Sequence, residues 1–363
     1  MTGFKKRLAS TALATAMTLT ALPVSVFLIS TDAAAGVPNG FAYTQGTRFM
    51  LDGSPFYYAG TNCYYLTFKS QEAVDSVFKD AEAMGLKVIR VWGNLDVGVK
   101  TGTTDSEGKP VFTNNNDGPG EKDGIYFQYF DKALGKPVTN FGEDGIKKLD
   151  YALYQAEKHG IKLLITFTNY WDAFGGMGQY VKWAEELGIT GLKKDDFYTN
   201  ETLKGWYKDY VNGLLNHTNP YTNRKLKDEP SVFAWELSNE PRCNTDAQCK
   251  DNILYNWAKE MSEYVKSIDP NHMVSLGDEG FYNKPYGYYD EYTTSNYAFY
   301  GAEGVDFEKL MTIDTLDFGT PHLYLDQWGM KHTGTGQDDL LWFKIHGETC
   351  GFCTGSVTIH LQP

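Results

Sequence analysis

Short, nearly continuous apolar runs alternate along this chain with longer stretches in which apolar residues recur every three or four positions. Phe56 to Cys63, Leu86 to Trp92, Lys162 to Phe167, Ser231 to Leu237, Met273 to Leu276 and Leu316 to Leu323 are the runs, and each reads as a strand. After the first, Val74, Val77, Phe78 and Ala81 fall at i, i+3, i+4 and i+7 and predict a helix from about Ser70. Ile146, Leu149, Leu153 and Ala156 mark a second helix starting near Gly142; others are expected over Thr202–Leu215, about Asp246 to Ile268, and about Asp338 to Glu348. Strands that are apolar on both faces and followed by helices belong in a parallel sheet covered by helices. Doubly wound sheets and closed barrels both satisfy that pattern. No glycine-rich phosphate turn follows the first strand, and polar and aromatic residues gather just past the C-terminal ends of several strands. Both features favour an α/β chain of the (β/α)8 TIM-barrel class, with about six βα units visible. One domain over residues 36–350 accounts for the pattern, and the Gly-, Asp- and Asn-rich stretch from Gly93 to Phe141 is expected to be a long loop on the active face.

The N-terminus changes the picture by setting a compartment. Lys5-Lys6-Arg7, an apolar stretch from Leu8 to Ile29 and Ala33-Ala34-Ala35 form a secretory signal over residues 1–35, with cleavage expected after Ala35. An uncleaved anchor is the competing reading, disfavoured by Pro23 and the small-residue cleavage site. A secreted, extracellular protein is expected, with no membrane association after cleavage. In that oxidising setting Cys243 and Cys249, flanking a short polar segment, are a candidate disulfide. Cys350 and Cys353 have redox or metal spacing but no second pair to support it. The net charge of −13, with no basic run past the first residues, argues against nucleic acid as a partner. Seven scattered histidines show no ligand spacing, so neither a metal nor an organic cofactor is expected. Aromatic residues make up 15% of the chain, more than a core ordinarily needs, which points to an aromatic-lined surface.

The strand ends carry the candidate chemistry. In chain order they supply Asn62 to Tyr65, Arg90-Val91-Trp92, Asn169-Tyr170-Trp171, Ser238-Asn239-Glu240-Pro241, Gly277-Asp278-Glu279 and His322-Leu323-Tyr324. Cleaving a glycosidic bond takes a proton donor for the leaving oxygen and a second carboxylate facing the oxocarbenium-like centre. Glu240, directly after a buried strand stopped by Pro241, suits the donor. A dry aromatic setting is expected to raise its pKa. Asn239 beside it is placed to bond a sugar hydroxyl. Read by itself, Asn-Glu-Pro is equally a polar strand-to-helix turn; its company at the other strand ends favours function.

These residues also carry a resemblance. Gly60 to Tyr65, Arg90-Val91-Trp92, Asn169 to Val181, Trp235 to Pro241, Gly277 to Phe281 and His322 to Trp328 are similar to the motifs of glycoside hydrolase family 5, and within it to the endo-β-1,4-mannanases. The resemblance spans about residues 40 to 349. It implies a (β/α)8 barrel that cleaves β-1,4-mannosidic bonds in mannan, galactomannan or glucomannan by retaining double displacement, as a monomer. Glu240 becomes the acid/base and Asn239 its sugar-binding neighbour. Arg90 would orient the nucleophile, His322 and Tyr324 would flank the reacting sugar, Trp92, Trp171 and Trp328 would be sugar platforms, and Asn169 and Glu279 would support or contact substrate.

The chain departs from the family at its end. The resemblance implies a nucleophilic Glu on a seventh strand, and no Glu or Asp follows Glu348. Residues 351–363 do not resemble the family, although Val357 to Leu361 has the composition of a short strand. The expectation is therefore an incomplete barrel, with the last two units and the nucleophile missing. A polysaccharide-binding pseudoenzyme and a β-1,4-glucanase of the same family are the alternatives.

Overall fold

The computed structural model describes residues 36–116, 124–243, 249, 252–285, 288, 296–324, 327–329, 337–352 and 356–357. The signal sequence expected over residues 1–35 and Cys353 lie outside the described residues. Three short antiparallel strands come first: β1 (Ala42–Gln45), β2 (Arg48–Leu51) and β3 (Ser54–Pro55). The β2–β3 turn is made by Asp52 and Gly53, both at positive φ (50° and 77°), the Asp-Gly pair that a tight hairpin favours.

The central sheet follows. It comprises β4 (Gly60–Asn62), β5 (Val88–Trp92), β10 (Lys162–Thr166), β11 (Val232–Glu236) and β12 (Met273–Ser275), hydrogen-bonded in that order and parallel throughout. The sixth expected strand is reduced to β13 (Phe318–Gly319), tied to β12 by Asp317, which donates its N–H to Val274 O and accepts from Val274 N. β14 (Ser356–Val357) pairs parallel with β13, so the tail contributes a two-residue strand of its own. Among the described residues no strand pairs with the free edge of β4. The strands are shorter than the apolar runs by one to several residues, because the runs continue into the turns that carry polar side chains.

Helices α1 (Gln71–Ala83), α2 (Lys147–Lys158), α4 (Glu201–Asn216), α5 (Ile253–Ile268) and α7 (Gln337–Phe352) occupy the predicted places. Ser70 caps α1 by accepting from Ala73 N, and Asn200 caps α4 by accepting from Thr202 N and Leu203 N. α5 starts at Ile253, later than expected, behind Asn252 in the left-handed region. α3 (Gly176–Glu185) and the short α6 (Phe307–Leu310) were not predicted.

The largest correction concerns the expected loop between Gly93 and Phe141. It holds a four-stranded sheet in the order β7-β6-β8-β9, formed by β6 (Asp96–Thr104), β7 (Pro110–Thr113), β8 (Gln128–Asp131) and β9 (Lys136–Thr139). Buried Leu95, Val97 and Val99 alternate along its start, and its Gly and Asp residues serve the hairpin turns. Asp105, for example, accepts from Glu107 N and Lys109 N.

Two cores result. Most buried side chains lie between the parallel sheet and its helices. In a second cluster the sheet residues Val88, Leu164, Phe233, Ala234 and Met273 meet Phe318, the hairpin residues Ala42 and Phe49, and Phe56 and Tyr58 just after the hairpin. Phe233 is the extra residue at the register shift between β10 and β11. The antiparallel hairpin thus closes the N-terminal end of the sheet and leaves the C-terminal end to the site.

Candidate active site

The backbone around Glu240 is stitched between neighbouring strand ends. Ser238 N donates to Leu276 O (3.0 Å), Glu240 N to Gly277 O (2.8 Å), Asn239 N to Thr168 O (2.8 Å), and Tyr170 N to Asn239 O (3.0 Å). These bonds hold Glu240 at φ +49°, a conformation costing a non-glycine residue about 1–2 kcal/mol. Gly277 permits the approach: a Cβ there would sit 1.9 Å from Ser238 O.

The Glu240 side chain is 14% exposed and both oxygens are engaged. Oε1 lies 2.6 Å from His322 Nδ1, and Oε2 accepts from Trp171 Nε1 at 2.5 Å. The setting is aromatic, as expected, but the expected rise in pKa is reversed. Burial pushes the carboxyl up; hydrogen bonds from His322 and Trp171, together with the charges of His322 and Arg90, outweigh it and bring it down to about 2. In this site Glu240 is a carboxylate.

Arg90 is 2% exposed and pairs with Glu236. Its Nη2 lies 2.6 Å from Glu236 Oε2, its Nε donates to the same oxygen (2.9 Å), and Nη2 also donates to Asn239 Oδ1 (2.8 Å). Asn239 passes the network on, donating from Nδ2 to Asn169 Oδ1 at 2.9 Å. Sequence reasoning missed Glu236. The signal was present, since Arg90 and Glu236 are charges of opposite sign set in otherwise apolar strand runs.

Around Glu240 opens a cavity of about 530 Å³. Arg90, Trp92, Asn169, Trp171, Asn239, Glu279, Tyr324 and Trp328 all line it, so the strand ends converge as the sequence predicted, and His322 meets Glu240 through Nδ1. Trp171 is 39% exposed, whereas Trp92 and Trp328 are nearly buried. Tyr64, from the first strand end, adds aromatic surface, as do Phe174 and Tyr297, which the sequence reading did not single out.

Arg242 was also missed, although it sits two residues past Glu240. Its Nε and Nη2 bond both oxygens of Glu279 (2.6 and 2.7 Å), and Nη1 reaches Glu303 (3.2 Å). Its guanidinium lies 4.9 Å from the centre of the Trp171 ring and 5.0 Å from that of Phe281. Burial raises Glu279 to about 7 despite the Arg242 bonds that oppose the rise, and the Glu240 charge pushes the same way as burial. The adjoining Cys243 is disulfide-bonded to Cys249, as the sequence suggested. Among the described residues these cysteines and Asp195 form the one cluster with potential metal ligands close together, but its sulfurs are committed to the disulfide.

Residues 39–342 match the family model described as glycoside hydrolase family 5, β-mannosidase-like. A probable mannan endo-1,4-β-mannosidase F of Aspergillus oryzae is 39% identical over 311 residues, covering 85% of this chain and 58% of that relative. A probable mannan endo-1,4-β-mannosidase A of Aspergillus flavus is 38% identical over 318 residues, covering 87% of this chain and 70% of the relative. The chain thus spans little more than half the length of the first. The solved endo-1,4-β-mannanase of Rhizomucor miehei superposes with a TM-score of 0.73 at 36% identity, covering 87% of this chain and 80% of that one. The parallel sheet shares the (β/α)8 TIM-barrel fold of such structures.

Proposed function

The chain belongs to the β-mannosidase-like members of glycoside hydrolase family 5, and from that premise we propose that it is an endo-acting glycosidase cleaving β-1,4-mannosidic bonds in mannan, galactomannan or glucomannan, with Glu240 as acid/base. The carrying observation is the position of Glu240. A carboxylate held by an indole N–H and an imidazole faces an aromatic-walled cleft at the C-terminal ends of parallel strands. Apolar sugar faces stack on Trp171, and the Asn239 amide, which lines the cleft, addresses a hydroxyl of the reacting sugar.

A carboxylate at about 2 is the base half of the cycle. To protonate a leaving oxygen it must first gain a proton, which a second negative charge beside it or the loss of a donor would bring about. In a retaining mechanism the nucleophile supplies that charge from about 5–5.5 Å away. No residue is assigned this role. Among the described residues lining the cleft, the other carboxylate is Glu279, and both of its oxygens are occupied by Arg242. That observation favours a second reading, a polysaccharide-binding protein with a glycosidase cleft.

One set of assays separates the readings. Reducing-sugar release from galactomannan, lost in Glu240→Gln, supports hydrolysis through Glu240; release undiminished in that variant refutes the role. Retention on insoluble mannan without release favours the binding reading, and release from carboxymethylcellulose in preference to mannan moves the substrate to β-glucan. Export rests on the pattern of residues 1–35 and the Cys243–Cys249 bridge. N-terminal sequencing of secreted protein starting at Gly36 would support it, and an intact Met1 would refute cleavage.

A further inference from the structure

The segment that carries Trp171 is short and tightly wound. Phe174, Gly175 and Gly176 lie successively in the left-handed region (φ 64°, 84° and 54°). A Cβ on Gly176 would sit 2.2 Å from Asn169 O and 2.9 Å from Trp171 O. Such a turn keeps its shape only if its carbonyls are satisfied. The barrel supplies part of this: Asn169 Nδ2 donates to Ala173 O at 2.8 Å. The inserted sheet supplies much of the rest. Asp96 N donates to Phe174 O (3.0 Å), and Asn116 Nδ2 bridges the turn, donating to Gly175 O (2.9 Å) and Asp172 O (3.4 Å).

Asn116 is itself fixed. Its N–H donates to Gln179 Oε1 (2.6 Å), and Gln179 Nε2 returns a bond to Asn114 O (3.0 Å). Asn114 Nδ2 donates to Lys182 O and Glu186 Oε1, each at 3.1 Å, and Lys182 Nζ donates to Asn115 O. Residues 114–116 are therefore bolted to α3, with the Asn116 amide laid across the Trp171 turn. Gly178 leaves room for it, since a Cβ there would meet Asn116 Nδ2 at 2.5 Å.

We propose that Asn116 is a positioning residue for the active site: by clamping Asp172 O and Gly175 O it fixes the turn that holds the Trp171 indole N–H on Glu240. The proposal rests on the reading of Glu240 given above and adds a task for the inserted sheet. Asn116 touches neither Glu240 nor the cleft, so its effect passes through Trp171.

The test uses the whole chain labelled with 15N-tryptophan, which gives one indole N–H signal for each of the eight tryptophans. The Trp171 signal is the one lost in Trp171→Phe. In Asn116→Ala it should move toward the position of an unbonded indole and exchange faster with solvent, while the other seven stay in place. Asn116→Asp, which keeps the size but replaces the donor by an acceptor, should do the same and serves if the alanine variant does not fold. In turnover, kcat should fall on the order of tenfold through the displaced contact on Glu240, and KM should rise as well because the same turn positions the Trp171 ring against the sugar. A merely structural role would lower the melting temperature and leave the Trp171 signal alone, and that result overturns the proposal. Glu240→Ala, measured alongside, separates the two claims. A signal that moves in Glu240→Ala but not in the Asn116 variants removes Asn116 alone, whereas one unmoved by Glu240→Ala removes the Trp171–Glu240 contact on which the site reading stands.

Discussion

Replacing Arg90 by methionine tests the buried network beneath the site. Arg90 and Glu236 are 3% and 0% exposed along their side chains, and they meet at 2.6 Å inside the sheet. Removing only the cation leaves the Glu236 carboxylate in the core without its counter-charge, and among the described residues Glu236 Oε1 already has no hydrogen-bond partner. Breaking a buried pair in this way costs about 3–5 kcal/mol. Taking about 4 kcal/mol and a urea dependence of about 3 kcal/mol per molar, the unfolding midpoint should fall by about 1.3 M. The double variant Arg90→Met/Glu236→Met should recover most of this, because two apolar side chains of similar length need no solvation. Urea titrations followed by tryptophan fluorescence, run in parallel on the parent and both variants, give the comparison. A loss below about 1 kcal/mol in the single variant, or a double variant no more stable than the single, would refute the account. The double variant should not restore the site, since Asn239 Oδ1 loses its bond from Arg90 in both.

Three further outcomes are expected. The Glu240 carboxyl, held at about 2 against an ordinary 4.5, adds stability that is fully present above pH 4.5 and disappears as pH falls to about 2; the melting-temperature advantage of the parent over Glu240→Gln should shrink through that window, and a pH-independent gap would contradict it. Gly277→Ala places a Cβ 1.9 Å from Ser238 O on a residue at φ +86°, so it should lose well over 2 kcal/mol in calorimetry and disturb the Glu240 N–H bond to Gly277 O; a melting temperature within a degree of the parent would show that the strand ends are looser than described. Cys243→Ser/Cys249→Ser opens a loop with a sequence separation of 6 and should cost about 2 kcal/mol, read as a lower melting temperature that thiol reductant no longer affects.

The sequence by itself determined the parallel α/β sheet, because strands buried on both faces must be apolar throughout and their length shows in the chain. It also determined which residues meet. Strand ends of a parallel sheet share one edge, so Arg90, Asn169, Glu240, Glu279 and His322 converge whatever the details of packing. The Asp52-Gly53 hairpin and the opposite charges of Arg90 and Glu236 were equally legible, but only once their partners are in view.

Tertiary structure alone decided the rest. The stretch from Gly93 to Phe141 reads as a loop because its strands are short and interrupted by turn residues; its sheet exists through pairing and through the support of α3, neither of which leaves a periodic trace. The ionisation of Glu240 was misjudged for a related reason. Burial can be inferred from neighbours in sequence, but the donors that outweigh it, Trp171 and His322, lie 69 and 82 residues away, and only the folded backbone brings their N–H groups onto one carboxylate.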